Sequence, residues 1–127
     1  MGKKALPRRF GCATEFTLTV LGGKWKTVIL CYLKQQPLRY GELRSLLPKL
    51  SDKVLTERLR ELEEVGLVAR SAMPQLNGNN GYHLTDRGAS LGEVLTILYA
   101  WGEMHSDAFG VTCGAPLADL NDRLAQL

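Results

Sequence analysis

Lys53, Thr56, Glu57 and Arg60 fall at helical spacing within one run, and their chemistry suits a nucleic-acid groove. Arg60 or Lys53 can bridge the two acceptors of guanine, Glu57 can accept from the cytosine amino group, and Thr56 can touch a thymine methyl. Ser51, just upstream, joins the set; its hydroxyl also suits an N-cap, where it accepts an orphan amide of the first turn. A bland reading stays open for Glu57 and Arg60, which can form an i,i+3 ion pair on a solvated face.

These side chains need a helix with a buried back. Leu55, Leu59 and Leu62 supply that stripe at i, i+4 and i+7, and Gly66 ends the helix by accepting a left-handed backbone. Leu67–Arg70 then reads as a strand. Upstream, the pattern predicts helices over Ala13–Leu21, stopped by Gly22-Gly23, and over Lys24–Gln35, where Trp25, Val28, Ile29, Tyr32 and Leu33 form the main stripe. Leu30 and Cys31 lie off that stripe, so this helix is expected to be covered on more than one side. Pro37 ends it, Leu38-Arg39 reads as a short extended piece, and Tyr40–Leu47 as a short helix turning Leu43, Leu46 and Leu47 inward.

Pro48-Lys49-Leu50 is a tight turn into the Ser51 helix, so the pair reads as a helix-turn-helix. Val68–Met73 and Gly81–Leu84 are candidate antiparallel strands around Asn77-Gly78-Asn79-Asn80, an Asn-Gly turn being tolerant of positive φ. A helix-turn-helix followed by such a hairpin is a winged helix, mainly α with a small β-hairpin (α+β). From Thr85 or Asp86 a long helix is expected to run to about His105, carrying Leu91, Val94, Leu95, Ile97, Leu98, Trp101 and Met104. That is more apolar circumference than one small core needs. Leu117, Leu120, Leu124 and Leu127 continue at coiled-coil-like spacing. A homodimer is therefore expected, with Phe16, Val20, Leu98, Trp101, Leu117, Leu120 and Leu124 in its interface. Trp101 and Tyr99 read as interface packing rather than a ligand platform.

Charge is unevenly placed along the 127 residues. Residues 1–60 hold 13 Lys or Arg against 4 Asp or Glu, a balance of +9, whereas residues 61–127 hold 3 against 9, a balance of −6. One half is expected to face a polyanion, the expected partner being double-stranded DNA. Lys24, Lys26, Arg39, Arg44 and Lys49 are candidate phosphate contacts that position without reading sequence. Asn79, Asn80 and His83 are candidate wing contacts, while Asn77 is better read as turn chemistry. The expected organisation is a flexible basic arm at 1–11, a DNA-binding domain at 12–106 and a helical dimerisation tail at 107–127.

Other classes find little support. No apolar run is long enough for a bilayer span, and the start MGKKALPRRF has no secretory core, so a cytoplasmic location without membrane contact is expected. Cys12, Cys31 and Cys113 are too few and too scattered for a disulfide framework. His83 and His105 do not form a metal-binding spacing, and neither metal nor cofactor is expected. Ser-His-Asp order, a phosphate-cradling glycine loop and paired catalytic carboxylates are not visible, so an enzyme is not expected. Cys12 follows Arg8 and Arg9 at a helix start, two features that favour the thiolate; a reactive thiol and an inert one both remain open.

GCATEFTLTVLGGKWKTVIL, YGELRSLLP, LTERLRELEEVGLV, YHLTDRG and YAWGEMH together resemble the successive signatures of HxlR-type winged-helix transcriptional regulators. The resemblance spans about residues 10–105. It implies a dimeric regulator, often a repressor, on a palindromic operator, and in some members a response to oxidants or electrophiles through an N-terminal cysteine aligning with Cys12. An oxidant or small-molecule effector is thus implied. Three departures stand out. Ala13 replaces a frequent proline after the cysteine, Asn77–Asn80 replaces a Pro-Pro pair in the wing, and Asp52 replaces an uncharged polar residue at the reading helix. Asp52 suits the helix dipole but would repel a nearby phosphate. The competing function is a winged helix used for protein–protein contact without specific DNA binding.

Overall fold

In the computed structural model, which describes residues 6–114, a helical body carries a two-stranded wing. Helix α1 spans Ala13–Leu21, α2 Lys24–Gln35, α3 Tyr40–Leu46 and α4 Asp52–Glu64. Strands β1 (Val68–Ala72) and β2 (Asn80–Leu84) follow, then α5 (Asp86–Ala89) and α6 (Gly92–His105). The strands are antiparallel, in register from Val68 opposite Leu84 to Ala72 opposite Asn80.

Local chemistry explains the boundaries. Gly22 takes φ 71° and donates its N–H back to Leu18, closing α1. Ser51 Oγ accepts the Val54 amide at 3.1 Å and opens α4. At the other end Gly66 adopts φ 78°, and the Leu67 amide reaches back to the Leu62 carbonyl at 3.0 Å. That 6→1 bond, with Leu62 and Leu67 both buried, is a Schellman ending. Asn77 and Gly78 both take positive φ, but within a longer loop that begins with a 3-10 turn at Pro74–Leu76.

The core is built on α2. Ile29 and Leu30 are fully buried together with Leu38, Leu43, Leu55, Leu59, Leu62, Leu67 and Leu95. Leu30 lies off the main stripe of α2 and is nevertheless enclosed, because α4, α6 and β2 all pack against this helix. Each such side chain contributes about 1.5–3 kcal/mol on burial. The extended piece at Leu38 becomes a bridge to the wing: its N–H donates to the Tyr82 carbonyl (3.1 Å), and the Tyr82 N–H returns the bond (2.8 Å).

One expectation is corrected. The helix from Thr85 to His105 is not continuous but breaks at Ser90-Leu91 into α5 and α6. Thr85 does cap α5, accepting the Gly88 amide at 3.1 Å, and its hydroxyl also donates to the Gly66 carbonyl. A Cβ on Gly88 would lie 2.1 Å from the Leu67 carbonyl oxygen, so α5 is welded against the α4–β1 corner. Helix α6 must instead deliver Leu95 to the core beside α2, and one straight rod cannot serve both sites. The leucines at 117, 120, 124 and 127 lie outside the described residues.

Candidate nucleic-acid interface

Helix α4 buries Leu55, Leu59 and Leu62 and leaves Ser51, Lys53, Thr56 and Arg60 exposed, with Glu57 half-buried. Among the described residues neither Lys53 nor Arg60 has an ion-pair partner. The anticipated Glu57–Arg60 pair is replaced by another. Arg58 lies 3.7 Å from Glu57 and 3.2 Å from Glu61, the latter contact poorly aligned for a hydrogen bond. Arg60 is thereby left available beyond α4.

The bases expected to meet phosphates differ in how far their charge is already engaged. Lys26 pairs with Glu61 across α2 and α4 at 3.4 Å, Arg39 with Glu42 at 3.6 Å and Arg44 with Asp52 at 2.8 Å. Lys24 sits over the Trp25 ring, 4.4 Å from its centre, and Lys49 is exposed on the turn before α4. Tyr40, which sequence reasoning passed over, joins α3 to the reading helix. Its hydroxyl donates to Asp52 Oδ1 at 3.0 Å and lies 3.4 Å from Thr56 Oγ1. The Tyr40 hydroxyl and then Arg44 hold the Asp52 carboxyl below the usual carboxylate range, so it stays ionised.

Between α4 and the wing lies a cleft of about 440 Å³, lined by Thr56, Arg60, Glu63, Arg70 and Tyr82. Arg70, also unanticipated, stands 5.9 Å over the Tyr82 ring and adds an exposed guanidinium beside Arg60. Its only signal in the sequence was a basic residue in a strand following the reading helix. In the wing, Asn79 spends its side-chain amide on the Leu76 carbonyl (3.0 Å), and His83 is held by Ser71 (3.2 Å) and the Leu84 carbonyl (3.1 Å). Asn80 is exposed.

A second feature is apolar. On α6, Val94, Ile97, Leu98, Trp101 and Met104 line one exposed stripe, with Ile97 67% and Met104 77% accessible. On α1, Phe16 and Leu18 are exposed and Val20 is half-buried. Helix α1 stands away from the α4–β1 corner, leaving an apolar groove of about 610 Å³ between Phe16, Val20, Val65, Leu67 and Leu91.

Cys12 occupies the N-cap of α1 and is exposed. The amides of Glu15 and Thr14 hold its thiol below the ordinary value, whereas burial pushes the Cys31 thiol up. Arg8 and Arg9 play no part in that shift.

An exposed reading helix, a tight turn and a short wing form the frame of a winged-helix regulator, and comparison with known proteins agrees. Residues 20–109 match the HxlR-like helix-turn-helix family. The chain belongs to that family. This HxlR-like protein is 40% identical over 124 residues to the HTH-type transcriptional regulator YtcD of Bacillus subtilis (strain 168), covering 94% of this chain and 96% of that protein. The redox regulator HypR in its reduced form superposes with a TM-score of 0.71 at 34% identity, covering 78% of this chain and 98% of the other. Diamide-treated YodB from B. subtilis superposes with a TM-score of 0.59 at 32% identity, covering 76% and 96%. The HxlR-like chain is thus similar to DNA-binding transcriptional regulators, two of them studied in different redox forms. No helix among the described residues is long and apolar enough to cross a membrane.

Proposed function

We propose that this HxlR-like chain represses transcription by binding a palindromic operator as a homodimer, α4 of each subunit lying in a major groove. The observation that carries this reading is the two-sided character of α4. Leu55, Leu59 and Leu62 anchor it, while Lys53, Thr56 and Arg60 stand exposed and the two bases have no acidic partner among the described residues. Arg60 and Lys53 suit guanine, Thr56 a thymine methyl and Glu57 cytosine. Lys24 and Lys49 are the freest phosphate contacts, while Lys26, Arg39 and Arg44 hold internal ion pairs that keep their charge from the backbone. The apolar stripes of α1 and α6 support pairing of two copies, which places half-sites about 35 Å apart. Asn80 and Arg70 are the wing groups freest to approach the backbone.

Cys12 is the proposed sensor. Exposure and the first-turn amides favour its nucleophilic form, and it opens the very helix whose apolar face supports pairing. Oxidation or alkylation there would alter the spacing of the two reading helices.

The test is footprinting on the DNA upstream of the chain's own gene, followed by a salt titration. Changing Lys53→Ala and Lys24→Ala together lowers the log–log salt slope by about 0.9 for each lost phosphate contact. An unchanged slope refutes this docking. For the sensor, hydrogen peroxide, which takes a thiolate to the sulfenic acid with loss of hydroxide, releases DNA from the wild type and not from Cys12→Ser; equal release from both refutes it.

A further inference from the structure

The mouth of the helix-turn-helix carries an acid where DNA binding alone asks for none. Asp52 is the first residue of α4, and its side chain is 76% exposed. Two donors from α3 converge on a single oxygen of it: Arg44 Nε at 2.8 Å and the Tyr40 hydroxyl at 3.0 Å both reach Oδ1. Arg44 also sends Nη1 back to the Leu47 carbonyl at 3.4 Å. Its guanidinium therefore lies folded along the turn, its side chain 34% exposed, and its charge is matched by a carboxylate in direct contact. Lys53, the next residue on α4, has no such partner among the described residues.

We propose that Asp52 is a positioning residue for Arg44, holding that guanidinium in the α3–α4 turn and withholding one cation per subunit from the DNA backbone. The consequence is a lower affinity for arbitrary sequence. Phosphate contacts add binding on every duplex alike, so each one withheld removes more background than discrimination. Positioned at the first turn of the reading helix, the carboxylate also gains from the helix dipole, which stabilises the paired geometry in the absence of DNA. This inference rests on the DNA-binding reading above, and its experiment separates the two.

The experiment measures full-length protein binding to a short random-sequence duplex across a salt series, for wild type, Asp52→Asn, Arg44→Ala and the double variant. Asp52→Asn frees Arg44, so the slope steepens by about 0.9 per subunit, about 1.8 per dimer. Its advantage over wild type then grows about twelvefold between about 200 and 50 mM salt. Arg44→Ala alone leaves the slope near wild type, and adding it to Asp52→Asn abolishes the gain. An unchanged slope in Asp52→Asn overturns the proposal. So does a gain that persists in the double variant, because the carboxylate would then act by its own repulsion rather than through Arg44. Wild type that ignores the duplex at the lowest salt overturns the DNA-binding reading itself, a distinct failure. Should Asp52→Asn melt early by circular dichroism, Asp52→Ser is the replacement, with the same slopes expected.

Discussion

Ile97→Ala on α6 is expected to weaken self-association while leaving the fold of each subunit untouched. The magnitude follows from exposure. The substitution removes three carbons, which full burial would stabilise by about 0.8 kcal/mol each. Ile97 is 67% accessible, so about 1.6 kcal/mol is recoverable on association. Two-fold symmetry counts that twice, giving about 3 kcal/mol, or about two decades in the dimer dissociation constant. Sedimentation equilibrium over a concentration series reads this directly, with a duplex-binding titration in parallel to show half-maximal binding moving to higher protein concentration. A thermal melt supplies the counter-check, because a residue exposed within the subunit contributes little to its stability. Identical association of the variant and wild type, or a wild type monomeric at all concentrations, would refute the assignment of this stripe to a subunit interface.

Leu59→Ala on the buried side of α4 should cost about 2–5 kcal/mol, read as a fall in the denaturation midpoint, whereas Arg60→Ala one residue away should leave that midpoint unchanged. Arg60→Ala should instead lower affinity for the footprinted site by about 1–3 kcal/mol and relax preference at one base pair. Gly88→Ala places a methyl against the Leu67 carbonyl and should cost about 1–3 kcal/mol, with wing amides losing hydrogen-exchange protection first. For the cysteines, alkylation by iodoacetamide should follow the thiolate fraction. Because Cys12 has its pKa lowered and Cys31 has it raised, reaction at Cys12 begins at lower pH; equal pH profiles would remove the case for a selected thiol.

Much of the fold was legible because its signals are local. The glycine pair after Leu21, the Ser51 cap and the Gly66 ending are each decided within one turn of helix, and the sequence bounds of α1 and α2 coincide with the observed ones. The break between α5 and α6 was not legible. Both halves are helical by periodicity, and what separates them is the approach of Gly88 to Leu67, a contact between residues far apart in the chain. Arg70 escaped notice for a related reason. Its place beside Arg60 depends on how β1 leaves the Gly66 corner, which no spacing encodes.

The site shows the same division between local and non-local information, and there it bears on mechanism. The exposed and buried faces of α4 follow from spacing alone, so the exposure of Lys53, Thr56 and Arg60 could be anticipated. Which bases are free to meet DNA could not, because each answer depends on an acid reached across a turn or from another helix: Glu61 for Lys26, and Asp52 for Arg44. Counting charge along the chain therefore overstates the field at the reading face. The net excess of nine in the first 60 residues already subtracts Glu42 and Asp52 but not Glu61, which lies beyond residue 60 and pairs with Lys26. Lys24, Lys49, Lys53, Arg60 and Arg70 have no acidic partner among the described residues, and removing one charge at these positions is expected to change the salt slope most. If Lys26→Ala changed that slope as much as Lys49→Ala does, the intramolecular pairs would have to open on DNA, and a static partition of charge would be refuted.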